Sequence, residues 1–242
     1  MILLAIETST EACSVAVLHG DEVVERFELA PRRHAELVLP WCGQVLDEAG
    51  VARSQLDAVA VSRGPGAFTG VRLGIAVAQG LALGLDRPLL PVSTLAVLAM
   101  EANRLAPPGT GTARVLATLD ARMQEVYAGS FQLDGGNLVA LGTETVGPPD
   151  AVALAGEGQG GWLGVGTGLD AQDGALSGRL AGRLQAADAT ALPRAGQLAR
   201  LAARAWAQGG AVAPQDVEPA YLRNQVALTI AEQQALRASR GG

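Results

Sequence analysis

Residues Leu3–Val17 read LLAIETSTEACSVAV, and Leu116–Ser130 read LATLDARMQEVYAGS. In each, an apolar strand ends at an acidic residue, Glu7 or Asp120, a polar turn follows, and a second strand returns. A hairpin opening that recurs after about 110 residues predicts two related α/β lobes, the second one degenerate. The break between them falls at Pro107–Thr112, PPGTGT. That places one lobe at 1–106, a smaller one at 107–230 and a tail at 231–242, which lacks a core pattern and is expected to fray.

Working outward, the first copy predicts strands over Ile2–Ile6, Cys13–Leu18 and Glu22–Leu29. A helical pattern opens at Pro31 and runs to Ala49, with Leu37, Trp41 and Val45 on one stripe and Val38 and Cys42 on a neighbouring one. Pro40 removes a donor inside it and is expected to kink or break it. Asp57–Ser62 is a strand, Gly64-Pro65-Gly66 a turn, and Thr69 the expected N-cap of a helix ending near Gly84. Leu89–Val92 is a further strand, after which Ser93 caps a helix to about Ala106. In the second copy Asp134–Asn137 (DGGN) is a hairpin turn and Leu163–Val165 a strand in a Gly-rich run. Pro193–Gln208 is an amphipathic helix with Leu198, Leu201, Ala202 and Ala205 inward.

Composition narrows the chemistry. The chain has 242 residues, 49% of them hydrophobic, and a formal net charge of -6. All 18 basic residues are Arg, which excludes a P-loop lysine, a Schiff-base lysine and a lysine general base. Two His and 3% aromatic residues leave little for base stacking, so this chain alone is not expected to grip RNA. No apolar run approaches the roughly 18–20 residues of a membrane span. The nearest, Leu73–Leu85, is broken by Gln79. The absence of a basic n-region and the two distant cysteines, Cys13 and Cys42, read as a reduced, cytoplasmic protein.

Three segments invite a functional reading. The hydroxyl-rich turn Glu7-Thr8-Ser9-Thr10 has the composition of a phosphate turn, although ordinary turn bonding explains three small polar residues equally well. His34-Ala35-Glu36 suggests a metal or base, but on a helix positions i and i+2 point about 200° apart and the i+4 partner is Val38. Gly164-Val165-Gly166-Thr167-Gly168 is either a nucleotide approach or a tight loop. The helix after Thr69 differs, because its polar side chains are only Thr69, Arg72 and Gln79. Such a helix needs cover on more than one side. Gly70, Gly74, Ala78 and Ala82 recur every four residues as a smooth strip, open either to the chain's own Pro31–Ala49 helix or to a partner's helix.

IETSTEACSVAV, RRHAELVLP, VSRGPGAFTGVRLGIAVAQGLALG, LDARMQEVYAG and EPAYLRNQVA together resemble the TsaB (YeaZ) family, over Ile6–Ala227. The resemblance implies the two-lobed fold of actin and the sugar kinases (ASKHA). It also implies a role in making N6-threonylcarbamoyladenosine (t6A) at position 37 of tRNAs that read ANN codons. Members are required, non-catalytic partners of a catalytic subunit, TsaD, with a small ATPase, TsaE, completing the assembly. They dimerise alone and reach tRNA only through the complex. The metal-binding HxxxH pair of TsaD-like enzymes is absent here, since Val38 follows His34 by four.

No cofactor is expected on this chain alone, with ATP or ADP left a place at the heteromeric interface. The family's interface helices map onto 32–49 and 69–84. The expected contact residues are His34, Leu37, Val38, Trp41, Cys42, Val45, Gly70, Val71, Gly74, Ile75, Ala78 and Ala82, with Arg33 and Arg72 unassigned. Arginine at Gly74 or Ala78 is accordingly expected to leave the chain soluble but unable to bind. The competing readings are an ATPase or small-molecule kinase using Thr8–Thr10, and a regulatory homodimer.

Overall fold

A computed structural model describes residues 1–106, 111–155 and 161–223. The expected 231–242 tail and part of the 107–112 break lie outside the described residues. The first sheet is built from β1 (Ile2–Glu7), β2 (Ala12–His19), β3 (Glu22–Leu29), β4 (Ala58–Ser62) and β5 (Leu89–Val92), in the order β3-β2-β1-β4-β5. β1 pairs antiparallel with β2 and parallel with β4. The second sheet contains β6 (Thr112–Arg122), β7 (Glu125–Asp134), β8 (Asn137–Ala140), β10 (Trp162–Val165) and β11 (Leu184–Asp188), with β9 (Thr145–Gly147) beside β7. Its order, β8-β7-β6-β10-β11, repeats the first strand for strand, antiparallel on one side of β6 and parallel on the other. The repeat in sequence is thus a repeat in topology, and the chain has the two-lobed actin/sugar-kinase-like α/β fold.

Strand alternation sorts the core into layers. Leu4, Ile6, Val15, Val17, Val59 and Val61 face α1 (His34–Glu48) and α2 (Phe68–Leu85) on one side of the first sheet. Leu3, Ala5, Ala16, Leu18, Ala58 and Ala60 face the other way, against Leu198, Ala199 and Ala202 of α5 (Ala195–Ala207). The helix predicted from the second copy therefore covers the first sheet. Conversely, α3 (Thr94–Ala99), which follows β5, packs Leu95, Leu98 and Ala99 on Val115, Ala117 and Phe131 of the second sheet. Each copy lends its last helix to the other, so the break near 107 separates two sheets but not two cores. α4 (Ala171–Leu180) closes the outer side of the second sheet with Leu176 and Leu180 against Trp162 and Leu116.

Buried polar contacts fix α5. Glu25 Oε1 accepts the Gly196 amide at 2.9 Å and the Ser14 hydroxyl at 2.8 Å. Its Oε2 accepts Arg194 Nη2 at 3.0 Å, and Ser14 Oγ accepts the Ala195 amide at 3.0 Å. A carboxylate at the amino end of a helix meets orphan amides and the positive end of the dipole.

Three local expectations are corrected. α1 runs through Pro40 without a break. Glu36, Leu39 and Pro40 are all exposed, so the Glu36 carbonyl that loses its partner is left to water. α2 begins at Phe68, not after Thr69; its N-cap is Ala67, whose amide donates to the Ser9 carbonyl at 2.7 Å. α2 is also longer than the Leu73–Leu85 run: its 18 residues reach the length and composition of a membrane-crossing helix. Six of them are nevertheless buried against the chain's own sheet. Ser93 does cap α3, accepting the amides of Leu95 and Ala96, although the helix gives way to a 3-10 turn at Met100.

Candidate functional site

A cleft of about 1300 Å³ opens between the two lobes. Its walls are the β1–β2 turn (Ser9–Glu11), the start of α2 (Gly66–Leu73), the β6–β7 turn (Leu119–Met123) and the segment Pro219–Arg223. The two equivalent turns of the repeat thus share one cavity.

In the first turn Thr8 Oγ1 donates to the Gly70 carbonyl at 2.8 Å, and the Ser9 and Thr94 hydroxyls bond each other at 3.0 Å. Thr10 Oγ1 accepts the Ala12 amide at 3.3 Å. Glu7 is fully buried; its Oε1 accepts both the amide and the hydroxyl of Ser9, while Oε2 has no partner among the described residues. Burial pushes its carboxyl above the usual carboxylate range, against the opposing pull of the nearby Ser62 and Ser9 hydroxyls. Ser62 Oγ itself completes no hydrogen bond among the described residues. The Thr8 and Ser9 hydroxyls donate within the fold, as ordinary turn bonding requires, while Thr10 accepts from the turn backbone. The start of α2 lies directly on the turn. A Cβ at Gly66 would meet the Ser9 carbonyl oxygen, one at Gly70 the Thr8 carbonyl oxygen, and one at Gly74 Thr8 Oγ1.

The second turn places Arg122, Met123 and Gln124 consecutively in the left-handed region, φ +60°, +55° and +62°. Asp120 holds it by accepting the Arg122 amide at 2.7 Å and Nη1 at 2.9 Å. Arg223 reaches in from the end of the described chain to the Ala121 carbonyl and Glu125. Gly166 and Gly168 of the glycine-rich loop press against Thr118, so that loop is a close backbone contact.

His34 is half-buried rather than an open helix-start residue. Its Nε2 lies 2.9 Å from the Thr10 carbonyl and 3.1 Å from that of Ala12. Two acceptors on one nitrogen require Nε2 to carry the hydrogen. Among the described residues no group of three or more His, Cys, Asp or Glu is placed to hold a metal. Cys13 and Cys42 are buried free thiols whose pKa burial pushes up to about 12.

The structure corrects the small-residue strip. Gly70, Val71, Gly74, Ile75, Ala78 and Ala82 all face the chain's own sheet, as do Val38, Cys42 and Val45 of α1, and Leu37 and Trp41 are half-buried beside them. An arginine at Gly74 or Ala78 would therefore disrupt the core rather than only a surface. The outward side of the pair carries Leu39 on α1 and Phe68, Arg72 and Leu83 on α2; the three apolar residues are 53%, 60% and 62% exposed. Sequence periodicity found the helix, and the smooth side it singled out packs within the chain. With so few aromatics, an exposed Phe68 in GAFTG and Tyr221 in EPAYLR were the available signal.

The family model for TsaD, tRNA N6-adenosine threonylcarbamoyltransferase, matches residues 26–228. The chain is 42% identical to the tRNA threonylcarbamoyladenosine biosynthesis protein TsaB of Escherichia coli, over 94% of this chain and 96% of that protein. It is 37% identical to the Haemophilus influenzae protein of the same name, over 93% and 95%. Among solved structures, YeaZ from Pseudomonas aeruginosa superimposes with a TM-score of 0.80 at 47% identity, over 91% of this chain and 99% of that one.

Proposed function

The chain belongs to the TsaB (YeaZ) family of tRNA threonylcarbamoyladenosine biosynthesis proteins, and from that premise we propose that it is the non-catalytic partner of a TsaD-like threonylcarbamoyltransferase, docking through the outward face of α1 and α2. The observation that carries this reading is the exposure of Leu39, Phe68 and Leu83 on two neighbouring helices whose buried residues pack on the chain's own sheet. Large apolar side chains left exposed along one helix face suit a protein contact.

The commitment of the Thr8 and Ser9 hydroxyls within the fold favours it over a self-contained ATPase or kinase. In this reading the chain holds no cofactor tightly by itself. A TsaE-like ATPase completes the assembly, any ATP or ADP lies at the heteromeric interface, and tRNA is reached through the complex, in the cytoplasm. Alone, the chain pairs with a second copy through the same face.

The test is reconstitution of tRNA modification from the threonylcarbamoyl adenylate, the TsaD-like and TsaE-like proteins and tRNA, with t6A measured by mass spectrometry. The reading expects no product without this chain, full activity with it, and loss of activity with a normally folded Leu83→Asp variant. Full activity without the chain overturns it. Tight ATP binding by the isolated chain in calorimetry supports the ATPase instead.

A further inference from the structure

Arg72 sits in the first turns of α2 at the mouth of the cleft, held in place but not neutralised. Its guanidinium lies 3.4 Å from the centroid of the Phe68 ring and 5.5 Å from that of Tyr221. Nε and Nη2 donate to the Tyr221 hydroxyl at 3.0 and 2.6 Å. No carboxylate pairs with it among the described residues, whereas Arg122 and Arg223 across the cleft are matched by Asp120 and Glu125. The Nη1 hydrogens find no acceptor among the described residues either. Both flanking rings are more than half exposed, Phe68 at 60% and Tyr221 at 53%. An arginine whose rotamers are already restricted has less entropy left to lose on binding, and its planar fork is shaped for a carboxylate. Arg and Tyr are also the residue types that dominate interface energetics.

We propose that Arg72 is a preorganised anchor for a carboxylate of the partner subunit, with Phe68 and Tyr221 excluding water around the pair. The proposal rests on the reading of this chain as a docking subunit. A protein carboxylate matches the site better than an RNA backbone does. One arginine without a carboxylate partner among the described residues suits one anion, while the chain's net charge of -6 disfavours a polyanion and Arg122 and Arg223 on the cleft walls are already paired with Asp120 and Glu125.

The test measures affinity of the full chain for the TsaD-like subunit at low and high salt, with melting curves to confirm folding. Arg72→Ala is expected to weaken binding about tenfold or more and to flatten its salt dependence, and Arg72→Lys, which keeps the charge but loses the planar fork, to weaken binding while retaining most of the salt dependence. Tyr221→Phe, which leaves the charge but frees it, is expected to weaken binding by a smaller factor. Wild-type affinity and salt dependence in Arg72→Ala, with Leu83→Asp unable to bind, overturns the anchor and leaves the docking reading intact. Failure of the unmodified chain to bind the subunit overturns the docking reading and the anchor with it. Loss of tRNA retention by the assembled complex, with subunit affinity unchanged, assigns Arg72 to RNA and overturns the proposal.

Discussion

Thr8 Oγ1 donates to the carbonyl oxygen of Gly70 at 2.8 Å, tying the turn after the first strand to the first turns of α2 across 62 positions of chain. The Gly66, Gly70 and Gly74 spacing of the GPGAFTGVRLG motif serves this contact, because each glycine presses on the turn where a side chain has no room. Gly74→Ala is expected to cost about 1–3 kcal/mol by overpacking. Gly70→Ala, which meets a backbone carbonyl instead of a hydroxyl, costs more. Gly80, on the same helix with open space around its Cα, gives the opposite sign: Gly80→Ala gains about 1 kcal/mol of helix propensity. Urea unfolding of the three variants distinguishes close packing from a surface role for the whole strip.

Glu7 makes stability fall as pH rises. Its folded-state pKa lies above the ordinary carboxylate value, so the buried group favours its protonated form. The stabilisation is complete below the unfolded pKa and is lost as pH rises through the folded one. Glu7→Gln keeps an oxygen for the Ser9 amide but cannot ionise. Its melting temperature relative to the parent is therefore expected to climb as pH rises above the ordinary carboxylate range, a tenfold difference in proton affinity between the folded and unfolded chains being worth about 1.4 kcal/mol. A difference that stays constant with pH contradicts the assignment.

Glu25 joins the first sheet to α5, taking bonds from the Gly196 amide, the Ser14 hydroxyl and Arg194. Glu25→Ala strands those donors and is expected to cost about 2–3 kcal/mol, with hydrogen exchange rising first in α5. Arg122→Ala, which breaks the more exposed pair with Asp120, is expected to cost less than about 1 kcal/mol.

Cys13 and Cys42 have thiols pushed up to about 12 and are closed off from solvent. The native chain is expected to leave both unlabelled by a thiol reagent at pH 8, and guanidinium to expose both. Rapid labelling of either in the native state places it outside the core.

Much of the fold is legible in the sequence because its signals are local. The two hairpins, the DGGN turn and the Ser93 cap each depend on a few consecutive residues, and alternation or turn chemistry reports them directly. The recurrence of Leu3–Val17 at Leu116–Ser130 was enough to determine two sheets of one topology. Tertiary structure alone decided which neighbour each face meets. The strip Gly70, Gly74, Ala78 and Ala82 is equally smooth toward a partner or toward its own sheet, and the turn residue Thr8 settles it from far away in the chain. The exchange of α3 and α5 between the lobes, and the hydrogen bonds of Arg72 to Tyr221, 149 residues later, likewise join segments with no local mark of one another. Periodicity fixes that a helix has an apolar face; only packing fixes what that face is against.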